Sequence, residues 1–307
     1  MATADTPSRR TVLKRTGLLL AASSVPAMVG TAKAATPATR RIGEVEVTTL
    51  SDGHFDLPRA AFGAADGTPP DRLPDPVRLG ANVWLLRVGE RTILVDAGSG
   101  PHLRQTYPAT GALPEAMASA ALDPTAVTDV VITHMHADHI GGLMDGAAPR
   151  FPGATLHMAR REWAFWTDPS RPENVPDGQQ GLAELIATLF AELTYDLVLY
   201  DGEADLGDGI VLVPAPGHTP GHSLVRIASG DAQAMLLGDL VLGEGVQFAD
   251  PDIRYVLDID PDLAVRTRRT IFDMLAQDGI PFLATHMTGP AFVQLERYRD
   301  GYATVPI

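Results

Sequence analysis

The chain has no cysteine and only two lysines, Lys14 and Lys33, in 307 residues. The first absence removes disulfides, thiol nucleophiles and iron–sulfur clusters. The second removes lysine Schiff-base chemistry and P-loop nucleotide binding from everything beyond residue 34. No G-x-S-x-G stretch marks a serine nucleophile. Basic residues are scarce as well, 24 against 38 acidic, for a net charge of −14. A chain this acidic lacks the electrostatic footprint for phosphate backbones, which excludes nucleic acid as the expected partner. What is present in quantity is apolar: 45% hydrophobic residues, ample for the core of one large domain or two small ones.

The first 34 residues stand apart from that core. Ser8-Arg9-Arg10-Thr11-Val12-Leu13-Lys14 reads as a twin-arginine signal, followed by a modest apolar stretch from Gly17 to Gly30 and an Ala32-Lys33-Ala34 cleavage site. The stretch is shorter than the ~20 apolar residues of a membrane span, so export and removal is the expectation. Residues 1–34 would then be lost and 35–307 would form the mature domain, periplasmic or secreted, without stable membrane association. These 34 residues carry five basic side chains and one acidic, so their loss moves the net charge from −14 to −18.

The most specific chemistry lies in Thr133-His134-Met135-His136-Ala137-Asp138-His139, directly after the apolar run Val130-Val131-Ile132. A strand ending in such a loop aims several metal-competent donors at one place. Three more apolar runs end the same way: His218 follows Ile210 to Val213, Asp239 follows Leu236-Leu237, and His286 follows Leu283-Ala284. Together these give His134, His136, Asp138, His139, His218, Asp239 and His286. Seven donors exceed one tetrahedral shell but suit two divalent ions, most simply Zn²⁺, with Asp239 between them. His222 is expected to hydrogen-bond within its loop. His54 reads as a surface turn residue, His102 and His157 as structural or solvated, and Asp52 as a turn residue.

The remaining pattern reads as one α/β domain. Glu44 to Leu50 alternates as a strand, and Asn82 to Val88 and Thr92 to Val95 flank a Gly89-Glu90 hairpin turn. Ala154 to Met158 is a further strand. Leu113 to Ala121, Gly181 to Leu193 and Pro261 to Ala276 read as helices, the second with apolar residues at i, i+3, i+4, i+7 and i+8. Gly63 to Asp75 and Asp168 to Gln179 read as loops bordering the active-site mouth.

These motifs resemble the metallo-β-lactamase superfamily, and the likeness covers nearly all of the chain after residue 40. It implies a four-layer αββα sandwich in a single domain. It assigns His134, His136 and His218 to one ion and Asp138, His139 and His286 to the other, with Asp239 bridging. Leu94-Val95-Asp96-Ala97-Gly98 resembles the first motif of the superfamily, whose aspartate supports the site from behind. The lack of cysteine departs from those true β-lactamases that use a cysteine ligand. Within the superfamily, Ser51-Asp52-Gly53, Gly217 to His222, Leu237 to Leu240 and Val246-Gln247-Phe248 resemble methyl parathion hydrolase and its lactonase and arylesterase relatives. The likeness implies catalysis at Asp138 and Asp239, a small-molecule substrate, and an apolar pocket of Tyr107, Trp166, Leu182 and Leu242; a homodimer is left open. Homoserine-lactone lactonases of a related branch carry a tyrosine where this chain has Leu242. The expectation is therefore hydrolysis of aryl esters, aromatic lactones or organophosphate triesters ahead of acyl-homoserine lactones. A mononuclear-iron persulfide dioxygenase and a non-catalytic metal-binding protein are the other readings.

Overall fold

The computed structural model describes residues 37–170, 175–176, 179–191 and 193–307. The expected signal segment lies outside the described residues. Strand alternation organises the rest. Trp84 and Leu86 join one core, while Val83 and Leu85 join another; Ile93 and Val95 part from Leu94, and Val131 from Val130, in the same way. Successive side chains point to opposite faces, so strands apolar at every position need cover on both sides.

The first sheet runs β1 (Ala38–Ile42), β2 (Val45–Leu57), β3 (Val77–Val88), β4 (Arg91–Val95), β5 (Asp129–Val131), β6 (Thr155–Ala159) and β7 (Asp196–Tyr200). The second runs β8 (Ala204–Asp205), β9 (Ile210–Pro214), β10 (Ser223–Ser229), β11 (Ala232–Leu236), β12 (Phe282–Leu283), β13 (Val293–Tyr298) and β14 (Gly301–Pro306). In each sheet the spatial order is the chain order. The core containing Trp84, Val95, Leu212, Val225 and Leu236 fills the space between the sheets. Outside the first sheet lie helices α2 (Leu113–Ser119), α4 (Arg160–Thr167) and α5 (Gln180–Ala191), reached after the short α1 (Gly100–Thr106) and α3 (Ala137–Ile140). Outside the second lies α7 (Pro261–Asp278), after α6 (Glu244–Gln247), with Phe272 against Phe248 and Tyr302 at 5.4 and 5.3 Å between ring centres. The result is the αββα sandwich.

Local chemistry explains where elements start and stop. Asp260 caps α7 by accepting the Leu263 N–H at 2.9 Å, and Gly279 ends it in the left-handed region at φ 62°. The helix expected to reach Ala121 stops at Ser119, because Ala121 itself takes φ 51°. β2 runs past Leu50 to Leu57. Ser51-Asp52-Gly53 is a bulge rather than a turn, and Gly53 at φ 112° lets pairing with β3 resume. A Cβ on Gly53 would sit 1.8 Å from the Ala109 carbonyl oxygen, so only glycine fits.

Direction then places the site. β4 and β5 are parallel, as are β11 and β12, and β9 runs the same way as β11 through two antiparallel steps. The carboxyl ends of these strands carry Asp96, the histidine loop, His218, Asp239 and His286 to one edge of the sandwich, the place where α/β sheets present ligand sites.

Candidate metal centre and its cleft

Two groups of donors form at that edge. His134, His136, His218 and Asp239 make one, and Asp138, His139 and His286 the other, with the ligand atoms of each within 4.8 Å of one another. Asp239 touches both. Its Oδ2 lies 3.7 Å from His134 Nε2, 3.3 Å from His218 Nε2 and 3.1 Å from His286 Nε2, while Oδ1 lies 3.2 Å from His139 Nε2. His136 turns its Nδ1 inward, 3.1 Å from His134 Nε2 and 3.0 Å from His218 Nε2. Asp138 Oδ2 stands 3.6 Å from His139 and 3.5 Å from His286. All seven expected ligands are brought together.

The far side of each imidazole shows what the near side is for. His139 Nδ1 meets Asp96 at 2.8 Å, His218 Nδ1 meets Asp258 at 2.9 Å, and His286 Nδ1 meets the Gly80 carbonyl at 2.7 Å. These partners only accept, so each Nδ1 carries the proton and each Nε2 offers a lone pair to the centre. Among the described residues, His139 Nε2 and Asp239 Oδ1 are buried with no hydrogen-bond partner. Buried polar atoms are rarely left so, and cations bound between them would satisfy both. The donor set therefore fits two divalent ions.

Electrostatics agree. Burial, and then His139 nearby, holds His134 well below its ordinary range; burial and then His218 do the same to His136. Burial would also depress His218, but its bonds to Asp239 and Asp258 push it up to about 9. Burial alone would raise Asp239, yet the surrounding imidazoles, His286 first, hold it well below the usual carboxylate range. Burial would depress His139 and His286 too, but Asp239 leads the carboxylates that push both up, so cations bound here would take the place of protons held beside Asp239.

Further carboxylates fix this geometry from behind the ligands. Asp96, legible from sequence, sits at φ 65° and accepts from the Thr133 N–H at 2.8 Å as well as from His139. Glu162, on the first turn of α4, is fully buried and takes four donors. Oε1 accepts the Met135 N–H at 2.9 Å and the Trp166 indole N–H at 2.7 Å; Oε2 accepts the Thr219 hydroxyl at 2.7 Å and the Gly221 N–H at 2.9 Å. It clamps the first histidine loop to the His218 loop. Burial raises Glu162 while those donors pull it down, burial prevailing. Asp52 is no mere turn residue, contrary to expectation: it is buried and accepts the N–H groups of Ser99, Gly111 and Leu113 at 2.8, 3.2 and 2.7 Å.

His222 is spent on protein. Its Nδ1 donates to the Ala215 carbonyl at 3.0 Å, and its Nε2 accepts the Asp239 N–H at 2.9 Å, so it reaches beyond its own loop to hold the bridging aspartate. Burial lowers it to about 3. His157 bonds Asp129 and Tyr200, both at 2.9 Å, as a structural residue; His102 is exposed and His54 stands 3.8 Å from Asp56, away from the cleft.

A cavity of about 450 Å³ opens from the centre, lined by Asp138, Asp239 and His286 at one end and by Phe55, Leu57, Leu79 and Leu257 among others. Tyr107, Leu182 and Leu242 line it as expected. Trp166 does not. It is buried behind the centre, its ring 5.6 Å from that of His136, because its N–H is drawn to Glu162. Gly63 to Asp75 lines none of the cavity either: Leu73 turns inward to a core cluster with Leu79, Leu242 and Val246. Of Asp168 to Gln179, residues 171–174 and 177–178 lie outside the described residues, and Gln179 lines the cavity. Sequence reasoning missed Tyr255, whose ring lies 6.2 Å from that of His218 and 5.3 Å from that of Phe62. It is carried by a short ribbon, Arg254–Tyr255 paired with Phe62–Gly63, with no sequence signal of its own.

The comparisons agree with this architecture. The family model described as "Metallo-beta-lactamase superfamily" matches residues 76–298, and the chain belongs to that superfamily. A probable metallo-hydrolase of Mycobacterium tuberculosis is 27% identical over 173 residues, 49% of each chain. This chain thus spans about half the length of the first curated relatives it matches. Among solved structures, AidC, a dizinc quorum-quenching lactonase, superposes with TM-score 0.79 at 23% identity, over 88% of this chain and 97% of that one. The hydrolase AbOPH, of the beta lactamase superfamily, gives 0.77 at 25%, over 90% and 98%. The αββα fold and membership of the superfamily follow.

Proposed function

We propose that the protein is a binuclear hydrolase of carboxylic ester and lactone bonds in small apolar molecules, with organophosphate triesters as a second group of substrates. One observation carries this: seven ligand donors centred on Asp239 form the floor of a cavity whose walls are mainly aliphatic and aromatic. His134, His136 and His218 would hold one ion, Asp138, His139 and His286 the other, and Asp239 both. Two such ions, Zn²⁺ by the chemistry of the donors, would supply water activation at neutral pH and polarisation of the scissile oxygen. The chain's own residues do the rest. Asp96, Asp258 and the Gly80 carbonyl fix the imidazole tautomers, Glu162 locks the two histidine loops, and His222 holds Asp239 in place. Asp138, less buried than its neighbours and facing the cavity, is placed to take up a proton.

Leu242 offers no hydrogen-bond donor to the substrate, which supports aryl esters and aromatic lactones with good leaving groups over acyl-homoserine lactones. Phe55 and Tyr107, edge to face at 5.1 Å, offer an aromatic surface in the cavity for such substrates. The test is a panel of p-nitrophenyl acetate, dihydrocoumarin, an acyl-homoserine lactone and methyl paraoxon, run with zinc-loaded protein and its chelated form. Metal-dependent turnover of the ester and dihydrocoumarin supports the reading; one iron per chain with oxygen uptake overturns it. We also propose export in the folded state by the twin-arginine route with loss of the first 34 residues, which N-terminal sequencing of the exported protein checks.

A further inference from the structure

One ligand loop of the second sheet is gripped by a strand of the first. β4 pairs with β3 only from Trp84 onward, so the earlier half of β3 keeps one edge that β4 does not cover. The His286 loop takes that edge. The Gly80 N–H donates to the His286 carbonyl at 3.0 Å, the Gly80 carbonyl accepts from His286 Nδ1 at 2.7 Å, and the Asn82 N–H donates to the Thr285 carbonyl at 3.0 Å. The Asn82 side chain then adds two bonds of its own. Its Nδ2 donates to the Thr285 carbonyl at 2.9 Å and to the Met287 carbonyl at 2.8 Å, one on each side of His286. A flipped amide would turn its oxygen on both carbonyls, so its orientation is set. Neither residue suits the strand for its own sake. Glycine and asparagine are poor strand formers, and burying an amide, here 7% exposed, is costly unless its bonds are made. Gly80 is required by the same approach: a Cβ there would sit 2.1 Å from the Met287 carbonyl oxygen.

We infer that Asn82 is a positioning residue for His286, and through it for one ion of the pair, the ion of the Asp138, His139 and His286 group. This rests on the two-ion reading of the centre and makes its two halves separable. Among the described residues, no other expected ligand bonds Asn82 or Gly80. Asp239, which both ions would share, is held independently by His222. The loops of the His134, His136 and His218 group have their own supports in Glu162 and Asp258. Loosening Asn82 therefore frees one imidazole and leaves the other ion's cage standing.

Zinc titration of the full chain against a chromophoric chelator tests this. Asn82→Ala should lower the affinity for one of the two ions roughly 10- to 100-fold and leave the other within about threefold. Added to His286→Ala, the same substitution should leave the remaining ion within about threefold, because its target is already gone. Equal weakening of both ions, weakening of neither, or a further loss in the double variant overturns the inference. Asn82→Ser, which keeps a polar group on the strand, stands in should Asn82→Ala fail to fold. A wild type that binds a single Zn²⁺ refutes the two-ion reading separately, and Asn82 is then judged without metal. In the metal-free chain the His286 Nδ1–H should exchange with solvent at least about tenfold faster in Asn82→Ala, while those of His139 and His218 keep their rates, as read by nuclear magnetic resonance. Unchanged exchange at His286 overturns the role of Asn82.

Discussion

The floor of the cleft and its wall are held by opposite means. On the floor, directional bonds fix almost every atom: His139, His218 and His286 are each pinned from behind, and Asp239 is held through its own N–H by His222. The wall is held by contact. Phe55, Leu57, Leu79 and Leu242 belong to an apolar cluster and sit against one another without polar ties between their side chains. A directional site tolerates no substitution in its supporting shell, whereas an apolar wall tolerates volume-conserving change. The chemistry should therefore be fixed by residues remote from substrate, and the substrate range by residues that are individually replaceable.

The contrast can be broken most decisively at its centre. Asp239→Ala removes the group common to both donor sets, and we expect loss of both metals and a fall in hydrolysis of at least about 10³-fold; two metals per chain in the variant, by elemental analysis, would show the assignment to be wrong. Glu162→Gln is next. One oxygen becomes an NH₂ facing either the Thr219 hydroxyl and the Gly221 N–H or the Met135 N–H and the Trp166 indole N–H. Metal affinity should fall roughly 10- to 100-fold, and stability by about 2 kcal/mol or more, measured by competitive chelation and urea unfolding.

His222 sharpens the comparison through pH. Its unfolded imidazole takes up a proton near 6.5, its folded one only near about 3. Between those values protonation favours the unfolded chain, so its contribution is whole above about pH 6.5 and is lost as pH falls towards 3. In metal-free protein, His222→Gln should flatten the fall in stability across that window by close to one proton, read from urea midpoints at a series of pH values. The smallest effect is expected at Trp166. Trp166→Phe drops one bond to Glu162, costing about 1 kcal/mol, and should leave KM for aryl esters unchanged. A KM raised several-fold would return Trp166 to the wall of the cleft.

The same contrast explains what the sequence shows and hides. Metal ligands are legible because each follows an apolar strand and the first four crowd into six residues; strand polarity then does the gathering. Asp96 was legible only through the resemblance of Leu94 to Gly98 to the first motif of the superfamily. Glu162 was not, because a glutamate on a helix ordinarily faces water, and only the tertiary approach of Met135 and Gly221 buries this one. Asp52 looked like a turn because Ser-Asp-Gly commonly is one, and the bulge that replaces the turn depends on β3 pairing across it. Tyr255 and Gln179 come from irregular segments whose place is set by neighbours distant in sequence. Trp166 was misassigned because its indole N–H found a buried carboxylate, a preference no spacing rule records.

Because each sheet is laid down in chain order, the donors divide cleanly along the polypeptide. His134, His136, Asp138 and His139 come from the half that builds the first sheet, and His218, Asp239 and His286 from the half that builds the second. Each donor group draws on both halves. An ion bound there is a clasp across the sandwich, and its binding energy counts toward keeping the two sheets face to face. An ion present at a hundred times its Kd adds ~2.7 kcal/mol to the closed form over the open one. With no cysteine anywhere in the chain, a bound ion would take the place that a cross-link occupies elsewhere, tying the first sheet's half of the chain to the second's.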